Sequence, residues 1–176
     1  IIGQANVGKS SLFNRLTRSR TAIVAREAGT TRDNVVGKVS YKRRNVDSAP
    51  SDNYSQFWLI DTAGLKTAED EFEATIQDQI ADASAAADVI LVTVDSTAYP
   101  SDTDRQLAKK ALKSGKPVIL IANKADLKGS LPIDEFKRLG IKNIIKTSAE
   151  HSIGISELLD SIAELIPPAT ETAPDD

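Results

Sequence analysis

The sequence predicts an α/β fold in three layers, with helices on both faces of a mostly parallel six-stranded sheet that carries one antiparallel edge strand. Three observations predict it. Short apolar runs recur along the chain, at Phe57 to Ile60, Val89 to Val94, Pro117 to Ala122 and Asn143 to Thr147. Amphipathic helical patterns separate them, and strands alternating with helices build parallel sheets covered on both sides. Each run ends in polar residues suited to a ligand, and in such sheets ligands bind outside the carboxyl ends of the strands.

In order, Ile1 and Ile2 are the visible part of a first strand, shorter than the usual run of about 5–6 residues. Methionine is absent, position 1 included, so the natural start is expected upstream. Gly3 to Ser10 is a glycine-bounded turn. Ser11 to Ser19 reads as a helix, with Leu12, Phe13 and Leu16 on one face and Asn14, Arg15 and Arg18 turned away. Arg20 to Asp33 loses periodicity. Val35, Gly37, Val39 and Tyr41 share one side of a half-exposed strand. Lys42 to Gln56 is polar, contains Pro50 and reads as a long hairpin tip; Lys42-Arg43-Arg44 suits a solvated hairpin base better than an RNA contact. Phe57 to Ile60 reads as a buried strand. A helix is expected from Glu71 to Ala87, a buried strand from Val89 to Asp95, and a helix from Asp102 to Ser114, stopped by Gly115. A strand over Pro117 to Ala122, a short helix over Ile133 to Leu139 and a strand over Asn143 to Thr147 follow. The last helix, Gly154 to Ile166, stops at Pro167 and Pro168. The domain is thus expected over residues 1–167, with 168–176 an acidic linker or tail.

Composition limits the function classes. The chain has 176 residues, 40% hydrophobic and 27% charged, which suits one globular domain. Its net charge of −3 gives no global nucleic-acid signal. It has no cysteine, hence no disulfide framework and no thiolate metal site. No apolar run is long enough to span a membrane, and a cytoplasmic location is expected.

Four motifs carry the chemistry. Gly3-Gln4-Ala5-Asn6-Val7-Gly8-Lys9-Ser10 fits G-x-x-x-x-G-K-[ST], the phosphate-binding loop. Its glycines let successive N–H groups curl around one anion, and the helix behind adds free N–H groups and the positive end of its dipole. Asn6, Val7, Gly8, Lys9, Ser10 and Ser11 are therefore candidate nucleotide contacts, with Lys9 on the β- and γ-phosphates and the Ser10 hydroxyl on Mg²⁺. Asp61-Thr62-Ala63-Gly64 ends a strand. Asp61 is a candidate Mg²⁺ partner through water, and Gly64 offers an unobstructed N–H to the γ-phosphate.

Asn123-Lys124-Ala125-Asp126 bears on the base. The Asp126 carboxylate can accept from guanine N1–H and the adjacent exocyclic amine, whereas adenine presents a lone pair at N1. Asn123 is suited to brace neighbouring loops, and the Lys124 stem to cover the base plane. Ser148-Ala149-Glu150 can aim a backbone N–H at guanine O6. In the aperiodic segment, Thr31, or its neighbour Thr30, is the candidate to complete the Mg²⁺ shell and act as a nucleotide-sensitive switch. Lys9, Thr31 and Gly64 are the candidates nearest the chemistry. Arg32 suits a charge pair or a partner, Glu27 and Asp33 have no fixed geometry, and His151, the single histidine, is expected on the surface near the base.

These stretches, in this order, resemble the translation-factor-related small GTPases, P-loop NTPases with a Ras-like G domain. Asn6 to Leu16, Ala87 to Leu91, Gly115 to Leu120 and Ser148 to His151 resemble the EngA or Der family, bacterial ribosome-assembly factors with two GTPase domains in tandem. The match is to the first domain, and the acidic tail resembles the linker to the second. The resemblance implies a GTP-hydrolysing switch that binds GTP or GDP with Mg²⁺. It further implies large-subunit or rRNA contacts through the full-length protein and a monomeric fragment. The segment Ala28 to Asp33 resembles equally the tRNA-modification GTPase family of MnmE, and Arg43 to Ser55 is longer and more polar than the family pattern. Leu65 stands where Ras-like enzymes place a water-orienting glutamine. In related families with a hydrophobic residue there, a potassium ion sits by the phosphates. The resemblance makes Asn6 a candidate K⁺ ligand, the alternative being a plain loop cap.

Overall fold

The computed structural model describes residues 1–4, 7–17, 23–26, 33–42, 54–61, 80–81, 85 and 87–166. Among the described residues, seven strands fall into two sheets. The first is fully parallel. Strands β1 (Ile2–Gly3), β5 (Ile90–Asp95), β6 (Val118–Asn123) and β7 (Asn143–Lys146) lie in the order β1-β5-β6-β7. The second is antiparallel, with β2 (Ile23–Arg26), β3 (Asp33–Lys42) and β4 (Tyr54–Asp61) in sequence order. The two meet where the Ile1 nitrogen donates to the Ile60 carbonyl at 2.7 Å.

The parallel strands read as unbroken apolar runs because both of their faces are covered. On β6, Ile119 and Ile121 point to one face and Val118, Leu120 and Ala122 to the other. The first face packs on Leu12, Phe13 and Leu16 of helix α1 (Lys9–Thr17) and on Leu158, Leu159 and Ile162 of helix α3 (Ile155–Leu165). The second packs on Leu107, Ala108 and Ala111 of helix α2 (Asp102–Lys113), and on Phe136 and Leu139. The alternation expected on β3 holds, with Gly37 and Val39 buried between exposed Lys38 and Ser40. Gly37 lets α1 approach: a Cβ there would sit 2.5 Å from Thr17 Cγ2 and 2.8 Å from Phe13 Cζ.

Four expectations need correction. The antiparallel part is a three-stranded sheet, not a single edge strand, because Ile23–Arg26 pairs with Asp33–Val36. Four residues are too few to show a period of two, so only the pairing reveals this strand. The stretch Phe57 to Ile60 is half-exposed, not buried: Leu59 is covered, while Trp58 is 62% exposed. The short helix at Ile133 to Leu139 is two tight 3₁₀ turns, Ile133–Glu135 and Lys137–Leu139, closed by Gly140 at φ +82°. Lys42 and Tyr54 already belong to paired strands, so the hairpin tip is shorter than Lys42 to Gln56. Of the helix expected at Glu71 to Ala87, residues 80, 81 and 85 are helical, and most of the remainder lies outside the described residues, as does the 168–176 tail. Among the described residues no helix is long and apolar enough to cross a membrane.

Candidate nucleotide site

The carboxyl ends of β1, β5, β6 and β7 lie side by side, since register pairs Asp95 with Asn123 and Ala122 with Lys146. The phosphate loop leaves β1 at Gly3 and enters α1 at Lys9. Gly8 has φ +93°, which favours glycine, and a Cβ there would run into the Asn123 side chain. The Gly8 carbonyl accepts from Leu12 N–H at 2.9 Å, the first bond of α1. Ser10 and Ser11 stand exposed in the open first turn, where free N–H groups gather. Val7 is buried, and its carbonyl is held by the Asn123 amide.

Lys9 is 6% exposed and its ammonium donates to the Gly3 carbonyl at 2.6 Å. Burial lowers its pKa from 10.5, against the pull of the Asp61 carboxylate. Asp61 itself is 4% exposed at the last position of β4. A carboxylate and the Ser10 hydroxyl form an all-oxygen donor set, which fits Mg²⁺. On the α2 side, the Gln4 amide donates to Ser101 and Asp104, the two partners of the α2 capping box. Burial raises the Asp104 pKa in spite of its hydrogen bonds with Ser101.

A second group of loops encloses a cavity of about 220 Å³, lined by Gly8, Ser11, Asn123, Lys124, Asp126, Leu127, Ser148, Ala149 and Glu150. Asn123 ties its walls together. Its Nδ2 donates to the Val7 carbonyl at 3.0 Å, while its Oδ1 accepts from Thr147 Oγ1 at 3.0 Å and Ala149 N–H at 3.2 Å. Lys124 takes φ +64°, unusual for a residue with a side chain. Its ammonium pairs with Asp95 at 3.1 Å. Burial works against ionisation of Asp95, but hydrogen bonds from Thr97 and the Lys124 ammonium outweigh it and hold the carboxyl below its usual range.

The structure therefore brings together Val7, Gly8, Lys9, Ser10, Ser11, Asn123, Lys124, Asp126, Ser148, Ala149 and Glu150, with Asp61 beside Lys9. Asn6, Glu27, Thr30, Thr31, Arg32, Gly64 and Leu65 lie outside the described residues, and of Asp33 only the backbone is described. Three contacts escape sequence reasoning. Asp95 pairs with Lys124. Arg15 of α1 donates to the Ala149 and Glu150 carbonyls at 2.7 and 3.0 Å. His151 lies 3.3 Å from an Asp126 oxygen. Each joins segments distant in sequence; the only signal was their position at strand ends or beside motif residues.

A family model described as 50S ribosome-binding GTPase matches residues 1–124. The GTPase Der of Porphyromonas gingivalis is 40% identical over 169 residues, covering 95% of this chain and 36% of that protein. The GTPase Der of Azorhizobium caulinodans is 40% identical over 176 residues, covering 99% and 36%. The chain thus spans little more than a third of the length of these curated relatives. Among solved structures, the G domain of the T. maritima FeoB iron transporter matches with a TM-score of 0.67 at 28% identity, covering 93% of this chain and 94% of that one.

Proposed function

Because this chain belongs to the 50S ribosome-binding GTPase family, we propose that it is the GTP-binding and GTP-hydrolysing switch domain of a bacterial factor that assembles the large ribosomal subunit. The observation that carries the proposal is the cavity that Asp126 lines together with Gly8 and Ser11 of the phosphate loop and first helical turn. A half-buried carboxylate beside a phosphate cradle favours a nucleotide whose base offers two adjacent donors, as guanine does. The Der relatives support the ribosome-assembly role over the tRNA-modification one. In the full-length protein the partner is the large subunit or its rRNA, and the setting is the cytoplasm. The isolated domain acts as a monomer.

In this reading Gly8 and the first turn of α1 receive the phosphates, and Lys9 leaves the Gly3 carbonyl to meet them. Ser10, Asp61 and Thr31 would hold Mg²⁺, whose charge would offset that of the phosphate oxygens. Gly64 donates its N–H to the γ-phosphate. Asn6 would hold K⁺, whose charge would stabilise developing negative charge as an arginine does. Leu65 cannot orient water, so slow turnover is expected in sodium and faster turnover in potassium.

Two measurements test this. Asp126→Asn should weaken GTP binding by about 10–100-fold, the worth of hydrogen bonds to a charged group, and favour xanthosine triphosphate, whose C2 carbonyl accepts from the new amide. Unchanged affinity for both nucleotides would refute the guanine assignment. Steady-state hydrolysis in potassium and in sodium, against an Asp61→Ala control, tests the enzyme. Turnover no higher than the control in either salt leaves a nucleotide-binding module without catalysis.

A further inference from the structure

The loop after β7 fixes one side chain with unusual care. Ser148 and Ile153 exchange backbone hydrogen bonds of 3.0 and 3.1 Å, closing a six-residue hairpin. Inside it, His151 N–H donates to Ser148 Oγ at 3.1 Å. Ser152 takes φ +57° and Gly154 φ +69°, where a Cβ would run into the Lys146 carbonyl. From α1, the Arg15 guanidinium grips the carbonyls of Ala149 and Glu150. The backbone is thus anchored on both sides of His151, and its imidazole Nε2 comes to 3.3 Å from Asp126 Oδ2.

His151 is 59% exposed and does not line the base cavity, whereas Asp126 and Glu150 do. It therefore meets the Asp126 carboxylate from outside the cavity. We propose that His151 is a positioning residue for base selection, holding Asp126 so that both carboxylate oxygens face the two N–H donors of guanine. This rests on the guanine reading of the cavity. The chemistry allows it, because an ionised carboxylate offers about four lone-pair sites. Guanine N1–H and the exocyclic amine use one on each oxygen, and a third is left for an outside donor. A neutral imidazole with its proton on Nε2 donates as well as an imidazolium, so the role needs no charge on His151. Ligand atoms of Asp126, Glu150 and His151 all lie within 4.8 Å of one another, so a donor on Asp126 also offsets the repulsion between the two carboxylates at the cavity mouth. An exposed pair of this kind adds little to stability; its effect is on the direction in which Asp126 points.

The test compares GDP with inosine diphosphate, which lacks the C2 amine and needs only one carboxylate oxygen. Dissociation constants are measured calorimetrically for the unmodified protein, His151→Ala and His151→Gln. His151→Ala should weaken GDP about fivefold, less than the loss of a direct bond to a charged group because His151 acts only through the direction of Asp126, and inosine diphosphate clearly less, so that selectivity narrows. His151→Gln, whose amide is a donor of similar reach, should restore most of it. Melting temperatures without nucleotide should stay within about 2 °C. Equal losses for both nucleotides, unchanged selectivity or tighter binding in His151→Ala would overturn the proposal. A protein that does not prefer GDP to ADP would instead overturn the guanine reading beneath it.

Discussion

At the residue scale, Asn123 uses both ends of its side-chain amide inside the protein, on the Val7 carbonyl, the Thr147 hydroxyl and the Ala149 N–H. Asn123→Ala strands three polar groups in a buried junction. Roughly 2–4 kcal/mol of stability should be lost, read as a lower urea midpoint, and nucleotide affinity should fall with it. Lys9 gives a pH signature. Burial lowers its pKa from 10.5, so between the lowered value and 10.5 the unfolded chain binds more protons than the folded one. Stability of the nucleotide-free protein therefore gains an upward slope with pH across that window. Urea titrations of the unmodified protein and Lys9→Met should differ by this slope, and saturating GDP should flatten it by giving the ammonium an anionic partner. The motif residues that meet at the strand ends could be picked out because phosphate and base chemistry dictate residue type and spacing. The contacts of Arg15 and His151 were not. Arg15 and Ala149 are 134 positions apart, and no local pattern announces a meeting made by the sheet.

At the element scale, strands β5 and β6 and helix α2 were readable because burial on both faces and a capped amphipathic stretch leave strong patterns. Ser101 and Asp104 complete a capping box at α2, with bonds of 3.1 and 3.0 Å. Ser101→Ala should cost about 1 kcal/mol, and it also removes a partner of Gln4 in the phosphate loop. Gly37 marks the opposite case, a small residue whose meaning appears only when α1 lies across it. Gly37→Val should overpack the contact with Phe13 and Thr17 and destabilise by about 1–3 kcal/mol, visible in thermal unfolding. Strand β2 stayed hidden because its four residues owe their conformation to pairing with β3, a tertiary cause that local propensity does not report.

At the scale of the whole molecule, the two covered faces of the parallel sheet hold the loop ends in register, and a nucleotide in the proposed site would bridge those loops. Ligand that binds only the folded state should add about 2.7 kcal/mol at 100 times its dissociation constant. A melting-temperature rise with GDP, absent with ADP and much reduced in Asp126→Asn, is the expected pattern. One feature of the antiparallel sheet also decides how such experiments are read. The single tryptophan, Trp58, stands 62% exposed on β4, three positions before Asp61. Its indole is already largely in water in the native state, so its fluorescence will shift little when the chain unfolds. The same ring becomes a sensitive optical probe for whatever molecule covers that strand.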